Sequence, residues 1–557
     1  MLPVRNARSI LRPLCRSRAG LSTACGQGLF DYTSGRWLYD EDLQLKRRYI
    51  EFNVNALQRA AGRILGHSCS QISKLPEGLY NKVFMLKTEI GGETLARIPN
   101  PNAGSAGYVI ASEVATLDFL RNVLDIPVPE VIDWCPPSTQ PDAVGAGYML
   151  MKKVKGCQLS EVWPDMSEAQ RFRLVKSVVA IEAKLSCLGI QGYGSIYYRD
   201  SYPNGMPLEI SAPDQGSETD VLDKFVLGPS TDRDFWVDGR ESLELDRGPC
   251  TLIEFCLDWS TAAEYISAIA KREVLCIRNS VPNQSRFHAS SLAKGDRARE
   301  AHIKLLHQFL TLLPHILPPV NITQAVLLHH DLHADNIFID IDDPTKITGI
   351  IDWQATYAAP LFLQTRFPSI FDCEDPYPWG AVQPELPKGF DSMTELDKQA
   401  AEQQFSRLRL KKFYELASRK FNPDIPRAMD AMSNDDDPTS FIFHLLGQTS
   451  VDGPIPFQEL LIQVCEKWDI LCAKRGSGIP CPVSFSSDDI SRHREKAACW
   501  AAIYGELNDL LVTVGGKDGW VSHDEYPAAL LRFNQHREAL KKLRGQLEET
   551  LEDACYL

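Results

Sequence analysis

The spacing of hydrophobic and polar positions in the first third of the chain predicts a small sheet with one helix. Four short segments have the composition of strands: 82–86, 94–98, 127–134 and 147–154. A Gly91-Gly92 pair between the first two of them predicts a tight turn. Apolar residues then recur at helical spacing and predict a helix over 109–124, with an inner stripe of Ile110, Val114, Leu117, Leu120 and Leu124. We expect the order β-β-α-β-β over residues 70–155.

After this sheet the pattern becomes mainly helical. Ser167 and Gln170 form a capping box that predicts the start of a helix, and Gly189 marks its end. Strand-like segments return between residues 325 and 351, and a long helix with charge pairs at i,i+4 spacing is predicted over 525–554. A small sheet-rich part followed by a larger helical part makes this an α+β chain.

Charge divides the 557 residues into a leader and a body. The chain has 59 Lys and Arg against 73 Asp and Glu, a formal net charge of −14, which argues against a general nucleic-acid binder. No apolar run approaches the ~18 residues of a spanning helix. Residues 1–30 carry five arginines and no acid, so the rest bears −19. This composition predicts a mitochondrial transit peptide; a disordered basic tail is the alternative.

The densest polar cluster lies between two apolar strands, in LLHHDLHADNIFID over residues 327–340. Asp331 precedes Asn336 by five residues, and Asp352 follows 16 residues later at the end of a strand. This spacing suits phosphoryl transfer, in which one Asp accepts a hydroxyl proton while an Asn and a second Asp bind Mg²⁺. Turn-capping polar residues are one alternative. A metal-hydrolase cluster is another, drawn from His329, His330, Asp331, His333 and Asp335.

The same residues resemble a known family. HHDLHADN is similar to the H-x-D-L-x-x-x-N loop of the aminoglycoside phosphotransferase and choline kinase family, and GIIDW is similar to its G-x-I-D-W motif. The resemblance implies a protein-kinase-like fold with a small β-rich N-lobe containing one helix and a larger, mainly helical C-lobe. It also implies ATP and Mg²⁺ as cofactors. His329 and Asp331 would be catalytic, with Asp331 the base, and Asn336 and Asp352 would bind the metal.

The first half of the chain agrees with this family. EGLYNKVFML resembles its phosphate-covering element, G-x-x-N-x-V-[FY], at Gly78 and Asn81. The resemblance puts Arg97 where the family has its ATP-phosphate Lys, Glu113 where it has the ion-pair partner, and Met151 in the adenine-binding hinge. Glu113 lies on the apolar stripe of the predicted helix, where a carboxylate needs a cation.

Three positions depart from the family pattern. Arg97 stands where the family has Lys, keeping the charge but presenting a planar fork. The loop at Gly78 has no G-x-G-x-x-G motif. The segment after Asp352-Trp353 reads QATYAAP rather than E-x-A-x-x-G-D-P. This last departure weakens any transfer of substrate identity from the family.

A narrower resemblance covers nearly the whole chain. Segments 30–57, 225–240, 245–250 and 351–364 resemble the fungal altered inheritance of mitochondria protein nine family, which is mitochondrial and phosphotransferase-like with an unresolved substrate. The insert of this family contains Trp236 here, and two interpretations of the insert stay open: a substrate lid and a packed surface loop. The arginines at 233, 240 and 247 are interpreted as surface charge more readily than as an anion site.

These observations divide the chain as follows: a leader at 1–30, an N-terminal extension at 31–66, an N-lobe at 67–152, a C-lobe at 153–475 with the insert near 198–300, and a helical C-terminal extension at 476–557. The function expected is a mitochondrial, matrix-located kinase that phosphorylates a hydroxyl of an unidentified small molecule. The alternative is a kinase-like pseudoenzyme acting as a mitochondrial maintenance or interaction factor. The expected partners are the substrate and, through the leader, the import machinery, with no nucleic acid and no transmembrane segment.

Overall fold

The structure is a computed structural model that describes residues 27–140, 143–211, 219–250, 259–279, 296–373, 376–433, 437–476, 478–516 and 518–554. Residues 1–26 of the predicted leader and parts of the predicted insert lie outside the described residues. Within the described ranges, no helix combines the length and apolar character that crossing a bilayer requires.

An N-terminal extension precedes the main sheet. It contains β1 (Arg36–Trp37), α1 (Glu41–Arg48) and α2 (Val54–Leu65). The Asn53 side chain caps α2 by accepting a hydrogen bond from the Ala56 N–H. Its buried face packs on the back of the sheet, in a core shared with Leu29 and Phe52.

The N-lobe is a five-stranded antiparallel sheet with one helix. The strands run in the order β2-β3-β4-β6-β5. The elements are β2 (Cys69–Lys74), β3 (Asn81–Thr88), β4 (Glu93–Pro99), α3 (Ala106–Asn122), β5 (Val131–Cys135) and β6 (Tyr148–Met151). The predicted stripe on α3 is buried, as is Leu124 just beyond it. The β-β-α-β-β expectation missed β2, because CSQISK is an edge strand with mostly polar residues.

The remainder of the described chain is mainly helical and forms the C-lobe. Its elements are β7 (Cys157–Gln158), α4 (Leu159–Val162), α5 (Glu168–Ser186), β8 (Ser195–Tyr198), β9 (Met206–Pro207), α6 (Thr219–Leu222), β10 (Phe225–Gly228), α7 (Ala262–Arg278), α8 (Asp296–Ile316), α9 (Val320–Thr323), β11 (Ala325–Val326), β12 (Ile337–Ile339), β13 (Ile347–Ile350), β14 (Ala359–Pro360), α10 (Leu361–Gln364), α11 (Glu395–Phe421), α12 (Asp424–Met432), α13 (Thr439–Leu446), α14 (Thr449–Asp452), α15 (Ile455–Glu466) and α16 (Trp468–Lys474). The capping box predicted at Ser167 and Gln170 is present at the start of α5. Together the two parts form the α+β, two-lobe, protein-kinase-like fold that the sequence predicted.

The described part of the insert packs against α3. Its small sheet, in the order β8-β10-β9, lies beside that helix, where the Tyr198 hydroxyl donates to Asp118 over 2.7 Å and Phe225 contacts Phe119 edge to face. Trp236 and Arg240 are buried. Of the two readings left open, this part of the insert is therefore a packed loop.

The C-terminal extension reaches back to the N-terminal extension. It is a hairpin of α17 (Ser487–Val514) and α18 (Tyr526–Ala554), with β15 (Trp520–Val521) between them. Strand β15 pairs antiparallel with β1, and the Trp520 indole N–H donates to the Tyr32 hydroxyl over 3.0 Å. Near its start, α17 contacts α15 of the C-lobe through His493 and Glu459. The hairpin therefore connects the C-lobe to the segment that covers the N-lobe.

Candidate active site

An antiparallel hairpin brings two of the predicted metal ligands together. Strands β12 and β13 pair Ile337 with Ile350, so the residue before β12 lies beside the residues that follow β13. The Ile351 N–H donates to the Asn336 carbonyl oxygen over 2.9 Å. Asn336 and Asp352, 16 residues apart in sequence, are thereby neighbours at one end of the hairpin. Asp352 has a φ of 65°, in the left-handed region that Asp tolerates better than most residues.

The loop before β12 carries Asp331 and is held by internal hydrogen bonds. The Asn336 side-chain amide donates to the Asp331 carbonyl oxygen over 2.9 Å, so a cation would meet the Asn336 side-chain oxygen. The Asp331 side chain is 41% exposed and can reach a substrate. The loop thus presents one accessible carboxylate beside one amide oxygen.

His329 braces this loop with both ring nitrogens. Its Nδ1 accepts the Asp331 N–H over 3.2 Å, so its Nε2 carries the proton and donates to the Ile351 carbonyl oxygen over 2.9 Å. Burial lowers the pKa of His329, which favours this neutral form. The imidazole also contacts the buried Trp353 ring edge to face. This geometry fits a residue that positions Asp331 rather than one that transfers a proton.

His333 also holds the loop in place. Its Nδ1 accepts the Asp335 N–H over 3.3 Å, and its Nε2 lies 3.7 Å from an Asp331 carboxylate oxygen. Burial alone would lower the pKa of His333, but the Asp335 and Asp331 carboxylates raise it overall. The described residues contain no cluster of three or more His, Cys, Asp or Glu side chains arranged around a metal position. The metal-hydrolase alternative gains no support from this loop.

Arg97 joins the two lobes at the site. From β4, one arm of its guanidinium pairs with Glu113 of α3, and the other pairs with Asp352 of the C-lobe. We call these three residues the junction cluster. Arg97 and Glu113 are buried, whereas the Asp352 side chain is 37% exposed. The predicted Arg97–Glu113 ion pair is thus present, and its cation also reaches the predicted metal ligand.

Burial and charge act in opposite directions on the two carboxylates of the junction cluster. Burial raises the pKa of Glu113 to about 7, although Arg97 opposes the change. Burial also acts to raise the pKa of Asp352, but Arg97, with smaller contributions from His329 and Arg233, holds it below its usual value. Asp352 is therefore the carboxylate of this cluster that stays ionised and available to a cation.

Two buried side-chain amides complete the floor of the site. The Gln354 side-chain oxygen accepts from the Asn81 amide over 2.6 Å and from Arg97 over 3.3 Å. These two donors fix the orientation of the Gln354 amide. Its nitrogen and the Asn81 side-chain oxygen are both buried and have no hydrogen-bond partner among the described residues. A buried, unpartnered N–H beside an arginine suits an anionic oxygen.

The predicted phosphate-covering loop approaches this floor from the sheet side. Gly78 is exposed, and a Cβ placed on it would meet no atom within 4 Å, so the loop leaves space beside its backbone. The Asn100 side chain donates to the Leu79 carbonyl oxygen over 3.0 Å. The guanidinium of Arg233, from the insert, lies 3.7 Å from the centroid of the Tyr80 ring.

The side chains present fit Mg²⁺ and nucleotide phosphates. Asp352 and Asn336 offer hard oxygen donors, and Mg²⁺ in phosphotransferases is held by one or two carboxylates together with substrate phosphates. Arg97 and the unpartnered Gln354 nitrogen offer donors to phosphate oxygens. The donor set therefore matches the chemistry of both groups.

The structure brings most of the predicted site residues to one place. His329, Asp331, Asn336 and Asp352 form one side, and Asn81, Arg97 and Glu113 meet them from the N-lobe. Neither Gly78 nor Met151 contacts this group by a hydrogen bond or ion pair within the described ranges. Met151 is buried at the end of β6, two residues past Met149, the pairing partner of Arg97.

Two residues of the site were missed from the sequence. Gln354 falls where the related family has Glu, and that departure was the available signal. Arg233 was grouped with Arg240 and Arg247 as surface charge. Instead, Arg240 is buried, and Arg247 stacks on Trp236 while donating to backbone carbonyl oxygens. Of the three arginines, only Arg233 faces the site.

The chain is similar to several known proteins. The chain is 34% identical over 345 residues to a subtelomeric hrmA-associated cluster protein of Aspergillus fumigatus, an alignment that covers 58% of this chain and 65% of that protein. It is 20% identical to Altered inheritance of mitochondria protein 9, mitochondrial, of Saccharomyces cerevisiae, across 90% of this chain and 87% of that one. The protein of the same name from Yarrowia lipolytica is 27% identical over 60% of this chain and 59% of its own length.

Among solved structures, an ADP-bound aminoglycoside phosphotransferase aligns with 74% of this chain and 97% of its own, at 13% identity and a TM-score of 0.33. A ternary complex of another such enzyme with streptomycin and ATP aligns with 72% and 96%, at 14% identity and a TM-score of 0.30. The model of the phosphotransferase enzyme family matches residues 71–227 and 277–362, which contain both the N-lobe sheet and the Asp331–Asp352 segment. Over these two ranges the chain is therefore similar to the phosphotransferase enzyme family.

Proposed function

We propose that the chain is a mitochondrial, ATP-dependent phosphotransferase that transfers the γ-phosphoryl group to a hydroxyl of a small molecule. The observation that carries this proposal is the meeting of Asp331, Asn336 and Asp352 with the Arg97–Glu113 pair at the junction of the lobes. A structural ion-pair network would have no need of an accessible carboxylate at both Asp331 and Asp352.

Each residue takes a distinct part in the proposed reaction. Asp331 accepts the proton of the attacking hydroxyl, and His329 keeps its backbone in position. Arg97, fixed by Glu113, binds phosphate oxygens, and the loop at Gly78 covers them. Phosphoryl transfer has a loose transition state, so positioning and charge neutralisation account for most of its catalysis.

Asn336 and Asp352 would hold Mg²⁺. When bound, the ion neutralises charge on the nucleotide phosphates. Adenine would bind near Met151, at the end of β6. Gln354 and Asn81 would contribute their unpartnered buried atoms to the floor below the phosphates.

The mitochondrial part of the proposal rests on the relatives' names and on the arginine-rich leader. Leu29 is buried in the core behind the sheet, and Phe30 contacts the Phe52 ring edge to face. A cleavage after residue 30 would remove Leu29 and Phe30 from that core, so we propose cleavage before Leu29. The matrix location and the division into leader, extensions, lobes and insert remain part of the same proposal.

The proposal is tested with purified chain, ATP and magnesium. Wild type should bind ATP only with Mg²⁺, and an untargeted metabolite screen with γ-labelled ATP should yield a labelled product. Asp331→Asn should keep nucleotide binding but lose about 10³-fold or more in turnover. Asp352→Asn should lose magnesium-dependent binding. Wild type that binds no nucleotide with Mg²⁺ would refute the proposal.

A second candidate function is a pseudoenzyme that binds nucleotide without turning it over. The observation that favours it is the direct ion pair between Arg97 and Asp352, which engages the proposed metal ligand. Magnesium-dependent binding without turnover, unchanged by Asp331→Asn, would select this candidate over the kinase.

A further inference from the structure

The insert places an arginine at the edge of the proposed nucleotide site. Arg233 begins a short 3-10 helix, and its guanidinium stacks on Tyr80, the last residue before β3 in the phosphate-covering loop. The same guanidinium lies within electrostatic range of Asp352. Arg233 therefore lies against the covering loop and within electrostatic range of the proposed metal ligand.

The hydrogen-bonding groups of this guanidinium are available. Arg233 makes no hydrogen bond or ion pair through its side chain with any residue in the described part of the chain, and its guanidinium lies over the Tyr80 ring. The acids on either side of it face elsewhere: Asp232 and Asp234 interact with the buried Arg272, and Asp234 also accepts from Gln448 over 3.3 Å. An arginine between two acids thus pairs with neither.

The surrounding insert fixes the position of Arg233. Phe235 and Trp236, two and three residues after Arg233, are buried, and the Trp236 indole N–H donates to the Ser230 carbonyl oxygen over 2.7 Å. Stacking on Tyr80 restricts the guanidinium itself. A guanidinium that is held in place with free N–H donors can donate two parallel hydrogen bonds to a phosphate group.

We propose that Arg233 is a phosphate-binding residue, supplied by the insert, that contacts the terminal phosphate of ATP. The inference rests on the proposed function, because it requires that ATP occupy the site. Arg97 reaches the site from the sheet, in the position of the family lysine that contacts the α- and β-phosphates. Arg233 supplies a second cation, from the insert and within electrostatic range of Asp352, which would hold Mg²⁺; we assign this cation to the γ-phosphate. Because the packed insert holds Arg233 in place, the affinity for ATP would depend on the packing of the insert.

The test compares two nucleotides on the full chain by calorimetry with Mg²⁺. Arg233→Ala should weaken ATP binding by about tenfold to a hundredfold and ADP binding by no more than about threefold. Arg233→Lys keeps the charge without the fork and should fall between wild type and Arg233→Ala. Tyr80→Leu removes the stacking platform and should weaken ATP binding in the same direction, by a smaller factor.

Arg409→Ala is the matched control, because Arg409 also stacks on aromatic rings but lies on α11 and pairs with Glu168. It should leave both affinities unchanged. The inference is overturned if Arg233→Ala binds ATP like wild type, or if its ATP and ADP affinities fall equally. Wild type that binds neither nucleotide would instead refute the proposed function, so the two failures are distinguishable.

Discussion

Two charge clusters built on N-lobe residues share their chemistry but differ in access to solvent. The junction cluster joins one cation, Arg97, to two carboxylates across the lobes. The other cluster, which we call the sealed cluster, joins Glu77 to Lys74 over 2.6 Å and to Lys82 over 2.8 Å. All three side chains of the sealed cluster are almost fully buried, whereas the junction cluster keeps Asp352 open to solvent.

The N-terminal extension makes this difference. The Lys82 ammonium donates to the Asp31 carbonyl oxygen over 2.8 Å, the Thr33 N–H donates to Glu77 over 2.6 Å, and the Ser34 hydroxyl accepts the Glu77 N–H over 2.9 Å. Backbone groups of the extension thus satisfy the charges and exclude ligands. A buried ion-pair network alone does not indicate a functional site. The exposed Asp352 carboxylate is what makes the junction cluster the candidate of the two.

Glu77→Gln should have the largest effect on stability. It leaves Lys74 and Lys82 buried without a carboxylate, which costs roughly 3 kcal/mol or more. Hydrogen exchange of β2 and β3 should accelerate by about a hundredfold. Glu113→Gln is the matched control, because Arg97 keeps Asp352 as a partner, and the loss there should be about 1 kcal/mol. Equal losses in the two variants would remove the distinction between the clusters.

Lys82 gives the sealed cluster a characteristic pH dependence. Burial lowers the pKa of Lys82 to about 8, although Glu77 opposes the change. Between about pH 8 and pH 10 the unfolded chain still binds this proton while the folded chain has released it, so stability rises with pH. Wild type should gain about 2 kcal/mol relative to Lys82→Met between pH 7.5 and pH 10 in urea unfolding. A constant difference between the two proteins would contradict this assignment.

Arg97→Lys tests whether the junction cluster needs two arms. An ammonium keeps the charge but cannot present a planar fork to Glu113 and Asp352 together. We expect Mg²⁺-ATP affinity to fall by about tenfold, measured by calorimetry. Lys82→Arg makes the reverse change in the sealed cluster and should leave that affinity within about threefold of wild type. Affinity that does not change in Arg97→Lys would show that one arm is enough.

Ser34→Ala should have the smallest effect. It removes the hydroxyl that accepts the Glu77 N–H and should cost about 1 kcal/mol. The loss should appear as faster hydrogen exchange at β2 and at the start of the covering loop, with no change at β12 and β13. Exchange that increased in all of these strands equally would mean that the extension stabilises the whole chain and not the sealed cluster.

Local sequence patterns predicted those helices, caps and motifs that depend only on residues close together in the chain. The stripe on α3, the capping box of α5 and the Asp331–Asp352 motif each lie within one stretch of chain, and the ion pair of Glu113 followed from its place on an apolar stripe. The metal-ligand and catalytic roles given to the motif residues stay predictions.

Contacts between distant segments were not predictable from such patterns. Asn81 and Gln354 are 273 residues apart, and the two-residue strands β1 and β15 are separated by nearly the whole chain. Arg233 lies between two acids, a pattern typical of solvated surface. The Arg233 side chain lies on Tyr80 because of the way the insert folds against α3. No hydrophobic periodicity in the insert predicts that packing.

The Mg²⁺-ATP affinity of two matched variants, Arg97→Met and Lys82→Met, most directly tests which cluster belongs to the nucleotide site, because each variant removes one cation from one cluster. We expect Arg97→Met to lose about thirtyfold or more in affinity, because it removes the proposed phosphate-binding cation. We expect Lys82→Met to lose stability but to bind Mg²⁺-ATP within about threefold of wild type. Equal affinities in the two variants, or a greater loss in Lys82→Met, would contradict the proposal that the junction cluster alone belongs to the nucleotide site.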